Sequence, residues 1–129
     1  MFAPSTKTRY GFELMTALAK QYNKKNLSLS SISKDRGLPV KYLEQIASML
    51  KEAKLIESKM GRLGGYFLLK PPEKITLNQI LEALKEPVKS GTCDGCPSVS
   101  LCGGQKEVWG EVGNSVRQTM NETTLKDLI

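Results

Sequence analysis

A chain of 129 residues with 40% hydrophobic content, a net charge of +6 and no histidine has the size of one compact domain, or of a small domain with an oligomerisation extension. No apolar run approaches the ~20 residues of a membrane span, and Met1 to Arg9 lacks the apolar stretch of a secretory leader, so a cytoplasmic protein is expected. The basic surplus sits in one half. Residues 1–70 carry thirteen Lys/Arg against five Asp/Glu, and residues 71–129 carry six against eight. Such a bias is the electrostatic footprint of nucleic-acid binding, although a solvated lysine-rich surface produces the same numbers.

Pro4-Ser5-Thr6 is a helix-start signal, and Tyr10, Leu14 and Leu18 follow it at helical spacing. This helix is predicted to end around Tyr22 to Asn26. Ser30 or Ser31 then caps a short helix over Ile32 to Asp35. Gly37 suits the left-handed position after that helix, and Pro39 the first turn of the next. The next helix, about Val40 to Ala53, carries Leu43, Ile46, Ala47 and Leu50 on one face. Lys41, Tyr42, Glu44, Gln45, Ser48 and Lys51 lie on the other. Two short helices around a tight Gly-containing turn are the helix-turn-helix pattern. Its second helix places amide, hydroxyl and charged groups where recognition helices touch base edges.

Leu55 to Leu69 reads as two strand-like runs around a glycine-rich turn, a hairpin. A helix-turn-helix followed by a basic hairpin is a winged helix. Lys59 and Arg62 fall at its tip, suited to phosphates or a minor groove. Gly61, Gly64 and Gly65 are expected to let the backbone approach DNA closely.

Pro71-Pro72 closes the first unit, and Thr76 starts a helix with Leu77, Ile80, Leu81 and Leu84 on its apolar face, stopped before Pro87. The expected division is a DNA-binding domain over 1–72 and a dimerisation region over 73–129, with a cysteine loop at about 88–104. From about Gln105 a last helix carries Val108, Trp109, Val112, Val116 and Met120. Gly110 and Gly113 weaken it as an isolated helix. Its stripe suits pairing with a second subunit; packing on its own domain is the alternative. The expected fold is mainly α with a small β-hairpin, a winged helix-turn-helix plus a long C-terminal dimerisation helix.

Cys93, Cys96 and Cys102 are the only cysteines. In a reducing compartment such a cluster favours metal or redox chemistry over a structural disulfide. Thiolates suit iron–sulfur clusters and zinc, and both prefer four ligands. The fourth must come from elsewhere, and Asp94, Glu107 or an exogenous thiolate could supply it. Cys93 and Cys96 are also close enough for a reversible disulfide.

In this order and spacing the motifs resemble the Rrf-type family of bacterial winged-helix regulators over nearly the whole chain. The resemblance rests on Ser5-Thr6-Lys7-Thr8-Arg9-Tyr10-Gly11, on Leu29-Ser30-Ser31-Ile32-Ser33 and on Val40-Lys41-Tyr42-Leu43-Glu44-Gln45-Ile46. It extends to Gly64-Gly65-Tyr66, Ile75 to Ile80, and three cysteines followed by Trp109. The Tyr-Leu-Glu-Gln core is the most specific of these. The resemblance implies a homodimer on a roughly palindromic double-stranded operator, and a cluster loop before the long dimer helix. It also implies that three cysteines hold an iron–sulfur cluster, of the 2Fe–2S kind, with a variable fourth ligand; Glu13, one helical turn after Arg9 on the face that related sensors use, is the leading candidate for it.

The chain departs from the family pattern in four places. The wing reads Met60-Gly61-Arg62-Leu63-Gly64-Gly65-Tyr66, with Arg62 displaced from the usual arginine position. The cysteines are spaced by two residues and then five. Gln105 stands where one cluster-binding type has histidine, and Arg9 where another has an acidic ligand.

The expected function is therefore a DNA-binding transcription regulator sensing cluster status, redox or nitric oxide. Ser30, Pro39, Lys41, Tyr42, Glu44, Gln45, Lys59 and Arg62 would be its DNA contacts, with Tyr42 the one among them more suited to packing. A cofactor-free or zinc-binding regulator, controlled by thiol oxidation or by a partner enzyme, is the alternative. An iron–sulfur electron carrier leaves the recognition helix and wing unexplained. No enzyme is expected: there is no nucleophile–base pair in a recognisable context and no phosphate-binding loop.

Overall fold

Ser5 stands in extended conformation and accepts a hydrogen bond at Oγ from the Thr8 amide at 3.1 Å, which starts α1 (Thr6–Lys20). The structure is a computed structural model describing residues 5–86 and 105–129; of residues 105–107 and 109 it describes the backbone alone. Leu14, Met15 and Leu18, at helical spacing, bury one face of α1 in the core.

Helix α2 (Leu29–Arg36) begins a turn earlier than Ser30 or Ser31 would dictate. Its cap is Ser28, whose Oγ accepts from the Ser31 amide at 3.1 Å. Burial explains the shift: Leu29 and Ile32 are both buried, and only a helix that includes Leu29 puts them on one face. Gly37 ends α2 in the left-handed region at φ 66°. Pro39 occupies the cap position of α3 (Val40–Glu52) rather than its first turn. Leu43, Ile46, Ala47 and Leu50 form the buried face of α3.

Strands β1 (Ile56–Lys59) and β2 (Gly65–Leu68) pair antiparallel, with Ile56 opposite Leu68 and Lys59 opposite Gly65. An isolated bridge adds Leu27 beside Tyr66, through hydrogen bonds of 3.0 and 2.7 Å. After a short 3-10 turn, Pro72–Lys74, a capping box between Thr76 and Gln79 starts α4 (Leu77–Ala83).

Helix α5 (Gln105–Glu122) runs through both of its glycines. Gly113 is buried, α5 packs against α4, and a β-carbon at Gly110 would meet nothing within 4 Å. The chain then folds back in a 3-10 turn, Leu125–Leu128, opened by a capping box between Thr124 and Asp127. The Leu125 amide donates to the Ile75 carbonyl at 2.8 Å, the Leu77 amide donates to the Thr123 carbonyl at 3.0 Å, and Leu125 is fully buried. One hydrophobic cluster joins α1, α2, α3 and the hairpin to Ile75, Ile80, Leu84 and Leu125. The segment after residue 72 therefore shares the core of the winged helix.

Candidate nucleic-acid interface

Packing leaves one polar strip on α3. Lys41, Glu44, Gln45 and Ser48 are exposed and line a shallow depression. Their spacing puts them on the face opposite Leu43, Ile46 and Leu50. The strip carries one cation, one carboxylate, an amide and a hydroxyl. Such a set can hold a phosphate and discriminate base edges, since Gln can pair bidentately with adenine and Glu can accept from cytosine N4. Ser48 is legible as part of this face from spacing alone, although it is absent from the expected contacts.

Tyr42 lies beside this strip. It is half-buried, with its ring edge to face against Tyr10 of α1 at 5.3 Å between centroids and 84° between planes. Pro39 and Ser30 are exposed, at the cap of α3 and in the first turn of α2.

The cations divide by partner. Lys7 pairs with Glu86 at 3.8 Å, Arg36 pairs with Glu13, and Lys51 pairs with Glu57 at 3.2 Å. Lys41, Lys59 and Arg62 are exposed and have no ion-pair partner among the described residues. The same holds of Arg9, Lys20, Lys24, Lys25, Lys34, Lys54 and Lys70, so it is their place on α3 and at the wing tip, not the lack of a partner, that sets the three apart. Lys51 also donates to Ser58 Oγ at 2.9 Å, which ties α3 to β1 and sets the wing beside the recognition helix. The Glu57 carboxyl is held below the usual glutamate range by the Ser58 amide and then by Lys51.

The wing glycines serve the hairpin itself. A β-carbon at Gly64 would lie 2.2 Å from the Lys59 carbonyl oxygen. Gly65 has φ +132°, and its β-carbon would lie 2.7 Å from the Leu27 backbone. The expected close approach is thus to the protein's own backbone at Gly64 and Gly65, and only Gly61, at φ +110°, faces open space.

Cys93, Cys96 and Cys102 lie outside the described residues, as does the side chain of Trp109. The described residues contain no group of three His, Cys, Asp or Glu that could hold a metal ion. Glu13 is exposed on α1 with its carboxylate engaged by Arg36 at the end of α2. On α5, Val108 and Val112 are 58% and 46% exposed, whereas Val116 and Met120 are half-buried.

Residues 4–129 match the family model described as Rrf2, iron-dependent transcriptional regulator. The chain belongs to the Rrf2 family. It is 36% identical to the HTH-type transcriptional regulator CymR of Bacillus subtilis over 126 residues, which is 96% of this chain and 87% of that protein. The solved CymR of B. subtilis, titled the global cysteine regulator, superposes with TM-score 0.86 at 34% identity, covering 99% of this chain and 96% of that one. T. potens IscR gives 0.81 at 31% identity, covering 98% and 85%. An oxidized form of Staphylococcus aureus CymR gives 0.80 at 36% identity, covering 98% and 95%. This Rrf2 protein is a winged-helix, DNA-binding transcription regulator and not an enzyme. Among its described residues no helix is long and apolar enough to cross a membrane.

Proposed function

We propose that this chain works in the cytoplasm as a homodimer on a palindromic operator, with an iron–sulfur cluster as its input. The observation that carries the DNA part is the exposed strip Lys41, Glu44, Gln45 and Ser48 on α3, beside a wing whose Lys59 and Arg62 have no ion-pair partner among the described residues. In this reading Gln45 and Glu44 touch base edges, and Lys41, Ser30 and Lys59 touch phosphates. Arg62 reaches the minor groove, and Pro39 sets the start of α3. Tyr42 supports the recognition helix from its flank through Tyr10. Two such heads meet half-sites one helical turn apart.

Val108 and Val112 are the apolar side chains that α5 leaves to a second copy; Trp109, Val116 and Met120 extend the same dimerisation stripe. Residues 1–72 are the DNA-binding part and residues 73–129 the dimerisation part with the cysteine loop.

Cys93, Cys96 and Cys102 would hold the cluster, which we assign as 2Fe–2S, and the donor chemistry fits it: three soft thiolates suit iron–sulfur better than any oxygen site. Bound, the cluster would supply a redox-active and chemically labile centre between the two halves of the chain. Glu13 is the proposed fourth ligand. Its exposed position on α1 leaves it accessible, and ligation would require it to leave Arg36. A carboxylate binds iron less firmly than a thiolate, which suits a sensor.

A second reading has one specific support: a CymR relative exists in an oxidized form. Cys93 and Cys96 would then act as a redox dithiol without a cofactor.

Two measurements test these assignments. Gln45→Ala is expected to loosen base preference, whereas Lys41→Ala weakens binding on all duplexes alike. Equal losses for both variants on selected and random DNA would refute the roles given. Protein purified without oxygen is expected to show visible absorption with bound iron and acid-labile sulfide. A colourless, iron-free product after anaerobic reconstitution removes the cluster and leaves the dithiol.

A further inference from the structure

The wing tip carries more than charge. Met60 and Leu63 are 94% and 86% exposed, the two most exposed large apolar side chains among the described residues. Single exposed apolar residues need no explanation. These two stand three positions apart on one tight turn, with Arg62 between them.

Hydrogen bonds close the turn. The Gly64 amide donates to the Gly61 carbonyl at 3.0 Å, and Asn26 Nδ2 donates to the Leu63 carbonyl at 3.1 Å. The Leu27–Tyr66 bridge braces its base. An apolar pair is therefore presented on a hydrogen-bonded turn, with both side chains open to solvent.

Chemistry narrows the occupant. From Lys59 to Lys70 the chain contains Arg62 and no carboxylate. The fitting surface is anionic overall yet offers apolar contact at close range. The DNA minor groove does both: its deoxyribose walls are hydrocarbon-rich, it is about 6 Å wide, and apolar wedges such as Leu and Met are known to enter it. The bonds from Lys51 to Glu57 and Ser58 hold the wing to α3, so a DNA seated on the recognition helix passes the wing.

We propose that Met60 and Leu63 are DNA-contacting, specificity-determining residues that pack into the minor groove on either side of Arg62. The inference rests on the DNA reading above and extends it, adding a contact that salt does not screen. Because apolar side chains between base steps widen and partly unstack the duplex, they favour sites where flexible pyrimidine–purine steps face the wing.

The test uses the full chain and duplexes that it enriches itself from a random-centred DNA pool, with affinity titrated across salt concentrations. Met60→Ser combined with Leu63→Ser is expected to lose roughly tenfold in affinity at every salt concentration, the scale of one partly buried apolar side chain. The salt slope stays unchanged, because no counterion is released at an apolar contact. Arg62→Gln is expected to flatten the slope by about 0.9, the value of one phosphate-like contact. Leu63→Met, which keeps the apolar contact, is expected to bind as the parent does, and this guards against misreading a folding defect.

Affinity of the double variant within about twofold of the parent overturns the proposal and leaves DNA binding standing. A changed sedimentation behaviour with unchanged DNA affinity also overturns it, and assigns the tip to a second copy of the chain. If the parent enriches no duplex, the DNA contacts of α3 fail together with those of the wing.

Discussion

Tyr10 of α1 and Tyr42 of α3 meet edge to face, 5.3 Å apart and 84° inclined, so the first helix packs against the flank of the recognition helix, beside its polar strip. An edge-to-face pair contributes about 0.5–1.5 kcal/mol beyond the area it buries. Tyr42→Ala is therefore expected to lower unfolding free energy by about 1–3 kcal/mol. Tyr42→Phe keeps the ring pair, and is expected to leave both stability and DNA affinity near the parent's. Urea unfolding and duplex titration check this; a Phe variant that folds normally but binds DNA poorly would return the hydroxyl to the interface.

Glu13 presents the opposite situation, an exposed side chain with a partner that a ligand role would take away. The Arg36 pair lies near the surface, so breaking it costs little, about 0–1 kcal/mol. Glu13→Ala is expected to fold as the parent does but to retain less iron after anaerobic reconstitution, with an altered visible spectrum. Arg36→Ala, which frees the carboxylate, is expected to retain at least as much iron as the parent. Identical iron content and spectra in the parent and Glu13→Ala would remove Glu13 from the ligand set.

Glycine at the base of the wing is a requirement of the fold. At Gly65 a methyl group meets both a left-handed backbone and the Leu27 backbone at 2.7 Å, whereas Gly61 has the positive φ with open space around it. Gly65→Ala is expected to cost about 2 kcal/mol or more, since backbone strain and steric overlap add. Gly61→Ala carries the strain alone and should cost about 1 kcal/mol. Thermal melts that rank the two in reverse would contradict this account of the hairpin.

Local signals made most of this architecture readable. Tyr10, Leu14 and Leu18 mark α1, the apolar face of α3 separates its polar strip, and Thr76 with Gln79 announces α4. What escaped depends on distant partners. The start of α2 moved because Leu29 had a core to enter. Leu125 reaches Ile75 across about fifty residues through a hydrogen bond that no short motif encodes. Glycines 64 and 65 looked suited to DNA because the sequence does not reveal that Lys59 and Leu27 already fill the space. The exposed strip of Lys41, Glu44 and Gln45 was legible from spacing, as was the packing tendency of Tyr42, but not the identity of its partner, Tyr10.

Glu86, the last described residue before the cysteine segment, is fastened to the start of α1. The hydroxyls of Ser5 and Thr8 both donate to its carboxylate, and Lys7 lies at 3.8 Å. These hydroxyl bonds, Ser5 first and then Thr8, hold its pKa below the usual glutamate value against the opposing effect of burial, with the Lys7 charge the smallest contribution. A carboxyl with a depressed folded-state pKa stabilises the fold above the unfolded value, and that contribution disappears as pH falls through the folded value. Glu86→Gln is therefore expected to be less stable than the parent by about 1 kcal/mol at neutral pH. The gap should begin to narrow as pH falls through the ordinary glutamate value of about 4.3 and close below the depressed folded value, where the folded parent carries a neutral carboxyl too. Urea midpoints of both proteins across that range check the prediction; a gap that stays constant into acid would mean that Glu86 acts through packing rather than charge.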